Sequence, residues 1–462
     1  MKGRVRRLST TNHTCAETCN HICDQGHTVE SASFTPEMKK THTILIPQML
    51  EIHFDLISGV LEQGGYRVEV LKTDHKGIAD EGLRNVHNDT CYPALLVIGQ
   101  FMDALKSGRY DLDKVALLIT QTGGGCRASN YIFLLRKALQ KNGWGHIPVI
   151  SLNFSGMEKN SGFKLGPKEL IKVVYGILYA DFLMNISNQC IPYEVRPGDT
   201  KAMVDRWVRK LLDQMHSTGF IHLRRNYKQI LADFAAIPLD RTTEKIKVGI
   251  VGEIYLKYAP LGNNHLEDYL VGEGAEVINS GLLDFCMYCI YNGIHDREVY
   301  GNGLVKSMVN KAAMWYVARK QREMIRAIRR QGGFRPPAEF RKVIEMSQGY
   351  LDHGVKMGEG WLLTAEMLEL IHSGVDNIVS AQPFGCLPNH IVAKGMIRKI
   401  KDNFPLSNIV AVDYDPGASR INQENRIKLM LANAKRNIAQ PQIIEEPLST
   451  PIPEATRELV AV

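Results

Sequence analysis

The sequence lacks the marks of several whole classes of protein. It contains no Gly-x4-Gly-Lys-Ser/Thr string, which excludes the phosphate-cradling loop of a P-loop nucleotide hydrolase. No apolar run approaches the roughly 18 to 20 residues that a membrane span needs. The start, Met1-Lys-Gly-Arg-Val-Arg-Arg7, is basic but has no apolar core behind it, so no secretory signal is expected. Cysteine is neither dense nor evenly paired. Nine are scattered over 462 residues, which predicts reduced thiols and metal chemistry in the cytoplasm rather than a disulfide framework. A strong excess of one charge is missing as well, since net +7 and a pI near 8.8 are only a weak hint of an acidic ligand. The most basic stretch, residues 319–330, has no aromatic residue interleaved with its charges. It therefore predicts a solvated or partner-facing helix and no nucleic-acid site.

What is present is an ordinary globular composition, 44% hydrophobic and 23% charged. A chain of this length exceeds one core, so two domains with helical additions are expected. From Thr41 onward, apolar runs alternate with helical periods: Thr43–Ile46, Tyr66–Leu71, Val115–Thr120 and Ile147–Leu152 read as strands, each followed by a helical pattern. Such alternation means a parallel sheet with right-handed crossovers. Residues 41–160 are thus a first α/β domain, and residues 161–243 are a helical bridging region. Residues 244–437 are a second α/β domain with a helical insertion near 300–350, in which Lys245–Ile254, Ala275–Asn279, Asn377–Ser380 and Asn408–Val412 are the strands. The fold class is α/β, two doubly wound parallel-sheet lobes joined by helices, with Tyr255–Asn264 read as a loop and Ile391–Lys401 as one helix. Residues 438–462, with few periodic positions, read as a mobile tail.

Residues 1–40 form a polar extension in which Cys15, Cys19, Cys23 and His27 recur every four positions. On a helix, residues eight apart lie about 12 Å from each other, too far to share an ion with bonds of about 2.3 Å. Metal binding there requires a loop; the alternative is a mobile, unliganded segment.

Three other cysteines share a context. Val115–Gln121 is a buried apolar run that leads through Gly123, Gly124 and Gly125 to Cys126, and a helical pattern begins at Tyr131. A chain that leaves a parallel strand through glycines and enters a helix puts its loop at the carboxyl edge of the sheet, where α/β proteins bind ligands. Gly124 and Gly125 let the backbone approach a bulky group, and a thiolate at a helix start is favoured by the dipole, so Cys126 suits a metal ligand or a nucleophile. Cys91 precedes Tyr92-Pro93 at the opening of another helix, and Cys386 follows Gly385 after the strand at 377–380. Three thiolates meeting between two lobes fit a four-iron cluster with one iron free of cysteine; the alternative is that each cysteine is a small buried hydrophobe.

Further candidates are weaker. Glu253, at the end of a strand, is an acid, a base, a hydrogen-bond partner to the cysteines or a solvated loop carboxylate. His390 and Asn389 follow Cys386, and His87 precedes Cys91; they serve as donors near the sulfurs or as helix caps. Cys286-Met-Tyr-Cys289 is a CxxC in an apolar stretch without a second pair and is expected to pack in the core, while Cys190 has no supporting neighbours. Asp415-Pro-Gly-Ala-Ser419 loosely resembles an acidic phosphate loop, but its place after the last strand predicts a turn into a helix.

The strings Asn88-Asp-Thr-Cys-Tyr-Pro-Ala-Leu95, Gln121-Thr-Gly-Gly-Gly-Cys-Arg-Ala-Ser-Asn130, Gly252-Glu-Ile-Tyr255, Gly358-Glu-Gly-Trp361 and Gln382-Pro-Phe-Gly-Cys-Leu-Pro-Asn-His390 resemble the 2-hydroxyacyl-CoA dehydratase superfamily. The resemblance is to the branch that occurs alone or at the C-terminus of CoA-substrate-specific enzyme activases, and double-cubane cluster proteins are related. It spans about residues 40–437; residues 1–40 depart from it. It implies Rossmann-like or flavodoxin-like lobes with a 4Fe–4S or double-cubane cluster between them, held by Cys91, Cys126 and Cys386. It also implies a low-potential electron from a separate ATP-hydrolysing activator and an oxygen-sensitive lyase or reductase that takes an acyl-CoA or a small molecule. A homodimer or hetero-oligomer is implied too. The alternatives are a non-catalytic iron–sulfur carrier or regulatory subunit, and an α/β binding protein without redox chemistry.

Overall fold

The computed structural model describes residues 32–87, 89–121, 125–153, 162–301 and 303–439. The extension with Cys15, Cys19, Cys23 and His27, Gly124, and the tail beyond 439 lie outside the described residues.

Two four-stranded sheets carry the chain, and every strand pairing within them is parallel. The first is built from β1 (Thr43–Pro47), α1 (Glu51–Gln63), β2 (Arg67–Leu71), α2 (Gly77–Asn85), α3 (Tyr92–Lys106), β3 (Val115–Gln121), α4 (Tyr131–Lys141) and β4 (Val149–Asn153), in the order β2-β1-β3-β4. β1 and β3 are short, nearly continuous apolar runs because helices cover both faces of a parallel sheet. α3 is buried on almost every side, and it meets α2 where two glycines face each other. A Cβ on Gly99 would lie 2.1 Å from the Ile78 carbonyl oxygen, and one on Gly82 would lie 2.2 Å from that of Leu95. Only glycine permits this approach.

Three helices follow, α5 (Pro167–Asn188), α6 (Asp199–Met215) and α7 (Leu223–Ala235). α5 corrects one expectation, because it is long and apolar enough to cross a membrane. Asp181 interrupts the apolar run in the sequence but is itself buried. It pairs with His53 Nε2 at 2.6 Å and accepts the backbone N–H groups of Leu282 and Leu283 at 2.8 Å. Most of the span is buried, with Tyr179 and Phe182 packed on Tyr227 in a core that also holds Trp207, Phe234 and Trp361.

The second sheet repeats the first, with β5 (Ile246–Gly252), α8 (Leu266–Gly272), β6 (Ala275–Asn279), α9 (Leu282–Tyr300), α10 (Leu304–Gln331), α11 (Phe340–Ser347), α12 (Trp361–His372), β7 (Asn377–Pro383), α13 (Ile397–Asn403), β8 (Asn408–Tyr414) and α14 (Arg420–Ala439). Its order is β6-β5-β7-β8, so both sheets reverse direction of growth between their two central strands, the usual ligand edge of such folds. One apolar cluster draws residues from both sheets, including Leu45, Leu117, Ile250 and Val379.

Two expected segments differ. The stretch read as a loop contains two short helices, Ile254–Tyr258 and Pro260–Asn263, started by the Glu253 carboxylate and by Pro260. The stretch read as one helix opens instead as a π turn at Asn389–Ala393 and a 3-10 turn at Lys394–Met396 before α13. There the Thr364 hydroxyl donates to the Val392 carbonyl, taking it from the helical ladder.

Candidate functional site

Each of the three cysteines sits where a turn hands the chain to a helix. Cys91 is the N-cap of α3, and its carbonyl accepts the N–H groups of Ala94 and Leu95 at 3.0 and 3.4 Å. Cys126 caps the 3-10 turn Arg127–Asn130 that leads into α4. Cys386 follows the Phe384-Gly385 turn after β7, and its carbonyl accepts the His390 N–H at 3.2 Å. Within the first domain the Tyr131 hydroxyl lies 2.8 Å from Cys91 Sγ, which ties the helix that follows Cys126 to the one that follows Cys91.

Contacts between the two sequence regions are direct. The Tyr92 N–H donates to the Phe384 carbonyl at 2.9 Å, and the Phe384 N–H donates to the Tyr414 carbonyl at 2.8 Å. Gly385 has φ +73°, and a Cβ there would lie 3.1 Å from Cys91 Cα, so Cys386 is one residue from a backbone that touches Cys91. Gly358, at φ +59°, is the second join: a Cβ on it would lie 3.6 Å from Cys126 Sγ and 3.3 Å from Pro388 Cγ. Gly125 abuts Met357, whose sulfur would be 2.6 Å from an added Cβ. Among the described residues, no three His, Cys, Asp or Glu side chains close around a single metal ion. A cubane makes a looser demand, because each thiolate binds a different iron.

Burial raises all three thiols above their ordinary range. Cys126 is pushed up to about 11 and Cys386 higher, with the Glu359 and Glu253 charges adding to both. Cys91 is raised chiefly by burial, against the Tyr131 hydroxyl and the Ala94 N–H. The helix starts were expected to favour thiolates; desolvation outweighs them.

Glu253 and Glu359 hold one helix end between them. Glu253 Oε2 accepts the Leu256 N–H at 2.9 Å, and Glu359 Oε1 accepts the neighbouring Ile254 N–H at 2.8 Å. Burial raises both carboxyls, and the Glu359 charge raises Glu253 further, so this pair favours holding a proton between its members. Glu359 had no assigned role in the sequence, although it lies inside the Gly358–Trp361 string.

Around Cys386 the polar groups are incompletely matched. Asn389 is buried and donates to the Ala381 carbonyl at 3.2 Å. The exposed His390 ring meets the Gln382 amide. Asn389 Oδ1, Gln382 Oε1 and Tyr255 Oη are buried atoms without a hydrogen-bond partner among the described residues. Three buried or half-buried thiols on turns at helix starts fit a cysteine-held cluster; the unpaired Asn389 and Gln382 oxygens are acceptors and fit a donor such as water.

Of the remaining candidates the CxxC borders this region, since the Tyr288 hydroxyl between its cysteines donates to the Gly358 carbonyl at 3.0 Å and the Glu359 charge acts on Cys289. Cys289 is exposed and Cys286 half-buried on α9, so the expected core packing of the CxxC does not hold for Cys289. Cys190 is buried. His87 Nδ1 accepts the Asp89 N–H at 3.2 Å, a local turn contact. The Asp415 carboxylate accepts the Gly417 N–H at 2.7 Å in a turn into α14, as expected. The basic part of α10 is laced by Arg319, Lys320 and Glu323, with Arg322 reaching Glu339. Surface concavities bordered by His222, Arg224 and Glu323, and by Arg67, Arg109 and Lys114, lie elsewhere. No protein-family model matches the chain, and no curated protein matches it.

Proposed function

We propose that Cys91, Cys126 and Cys386 hold a 4Fe–4S cluster, or one cubane of a double-cubane cluster, between the carboxyl edges of the two sheets. In this reading the chain accepts low-potential electrons from a separate ATP-hydrolysing activator and serves reductive or dehydration chemistry on an acyl-CoA or a small molecule. The observation that supports the reading is the pair of glycine joins: Gly385, next to Cys386, lies against the Cys91 backbone, and Gly358 lies against both Cys126 Sγ and Pro388, two residues after Cys386.

When bound, such a cluster supplies single electrons and an iron free of cysteine to take an oxygen or sulfur atom. The protein supplies the rest. The Glu253–Glu359 pair, anchored by the N–H groups of Ile254 and Leu256, keeps a proton that a departing hydroxide needs. Tyr131 orients the Cys91 sulfur, and Gln382 with His390 flanks Cys386 on the outside. A non-catalytic iron–sulfur carrier is the second reading, since the same three cysteines would hold a cluster whether or not a substrate binds beside it.

The test is iron and acid-labile sulfide content, with electron paramagnetic resonance of the reduced state, on anaerobically purified protein beside Cys126→Ala. About four irons per chain, or about eight for a double cubane, lost in the variant, are expected. No iron after anaerobic reconstitution overturns the reading. Reduction by an activator with ATP, without turnover of any acyl-CoA, points to the carrier.

A further inference from the structure

α10 is apolar on two opposite faces, and only one of them is covered. Its inner face, with Val317, Met324, Ile325 and Ile328, is buried. Over its first three turns the outward face carries Leu304, Val305, Met308, Val309 and Trp315, with Tyr300 just ahead of it. Of these, Val305 is 75% exposed, Met308 62% and Trp315 59%. At 3.6 residues per turn the five helical positions fall within an arc of about 140°, opposite the buried stripe. Together with Tyr300 they expose roughly 750 Å² of mostly apolar surface, more than the ~300–600 Å² of the largest patch on a typical monomer. That area is close to the ~800 Å² each partner gives to a standard interface.

We infer that this face is covered by the same face of a second copy of the chain, with the two α10 helices antiparallel across a twofold axis at Ala312. Ala312 is exposed and lies within the apolar arc, so two helices can approach closely there. Antiparallel pairing about it sets Val309 level with Trp315 of the second copy, and Met308 level with Tyr316. Val305 then faces Arg319, whose guanidinium already lies 5.6 Å from the centre of the Trp315 ring. Charge agrees with this direction. Beyond Tyr316 the outward face turns basic, with Arg319, Arg322 and Arg326. At 1.5 Å per residue Arg322 lies about 15 Å from the axis, beyond the first residue of the second copy's α10. There it lies past the end of the second copy's helix, so the two basic halves are kept at opposite ends instead of side by side.

The inference does not depend on any cluster and fails or stands separately from it. Sedimentation equilibrium on the full chain at micromolar concentration is expected to give twice the chain mass of 51.9 kDa. The double variant Val305→Arg, Val309→Arg is expected to weaken the dimer by roughly a hundredfold or more, with circular dichroism unchanged. Because the substituted positions face solvent in one copy, loss of folding is not expected; Ala312→Cys is an independent check in any case. With Cys15, Cys19, Cys23 and Cys289 replaced by serine in both proteins, it is expected to give a covalent dimer on mild oxidation that the protein with Ala312 does not give, since the thiol introduced on the twofold axis meets its own counterpart. A monomeric wild type, a variant dimer as tight as wild type, absence of the Ala312→Cys cross-link, or association only when an activator protein is added would each overturn the inference.

Discussion

The two sheets share a strand order yet equip their carboxyl edges differently. β3 and β7 hold the same place, and each leads through glycine to a cysteine, Cys126 and Cys386. The strands beside them diverge. β1 ends at Pro47, whereas β5, with Gly252 opposite Ala381 of β7, delivers Glu253 to the edge beside Gln382. The first domain adds its second thiol from a helix cap, Cys91, and the second domain adds a second carboxyl from the start of α12, Glu359. The repeated position thus carries a thiol in both sheets, and the strand beside it ends at Pro47 in one and leads to Glu253 in the other. The comparison can be broken first at the packing that sets each edge. Gly99 in the first domain is bounded by backbone, with 2.1 Å from a Cβ to the Ile78 carbonyl, while Gly249 in the second is bounded by the Leu370 side chain. Gly99→Ala is expected to cost about 4 kcal/mol, because neither helix can yield without moving Cys91. Gly249→Ala is expected to cost about 1–2 kcal/mol, because Leu370 can rotate. Chemical denaturation of the two variants measures the difference; equal costs would remove the contrast in rigidity.

The joins at the edges are unequal in the same sense. Gly385 has a positive φ and faces the Cys91 backbone, but Gly125 faces only the end of Met357. Gly385→Ala is expected to lower stability by about 1–3 kcal/mol and to lower iron content with it, since the added methyl pushes Cys386 away from Cys91. Gly125→Ala is expected to stay within about 1 kcal/mol of wild type and to keep its iron. Iron assays and thermal melts on both variants check this, and the reverse order would mean that the Cys126 side sets the geometry.

The strands and the cysteine turns were legible in the sequence because each rests on a local cause: an apolar run buried on both faces, or a glycine or proline at a chain reversal. Cys91, Cys126 and Cys386 stood out for that reason. The unread parts depend on distant contacts. The break at Asn389–Ala393 needs the Thr364 hydroxyl from α12. The helix at Ile254–Tyr258 needs carboxyls separated by more than a hundred residues to hold its first N–H groups. α5 did not read as an apolar run of spanning length because Asp181 interrupts it, and only the buried His53 shows why a carboxylate is tolerated there. α10 read simply as a basic helix, since its outer apolar arc lies in its first half and its charges in the second.

The smallest expected effect separates the carboxyls of the two domains by the sign of their pH dependence. In the first domain burial opposes ionisation of Glu81, but its bonds to Lys106 and Arg84 win and hold the carboxyl below its usual range. Its contribution to stability is therefore present above the ordinary carboxylate pKa and is lost as pH falls through the lowered folded value. Glu253 has the opposite sign. Burial, then the Glu359 charge, raises it, so the folded state binds the extra proton. Its contribution is fully present below the ordinary value and is lost as pH rises through the raised one. Glu253→Gln, which keeps the shape and removes the charge, is expected to raise the melting temperature by a few degrees at pH 8 and to change it little at pH 4. Glu81→Gln is expected to lower it at pH 8 by a comparable or smaller amount, because Lys106 and Arg84 are partly solvated and screen the loss. Melting curves of both variants across that range decide the matter. A destabilised Glu253→Gln at pH 8 would mean that the ionised carboxylate is needed to hold the Leu256 N–H, and the second domain would then hold its edge by charge, as the first does at Glu81.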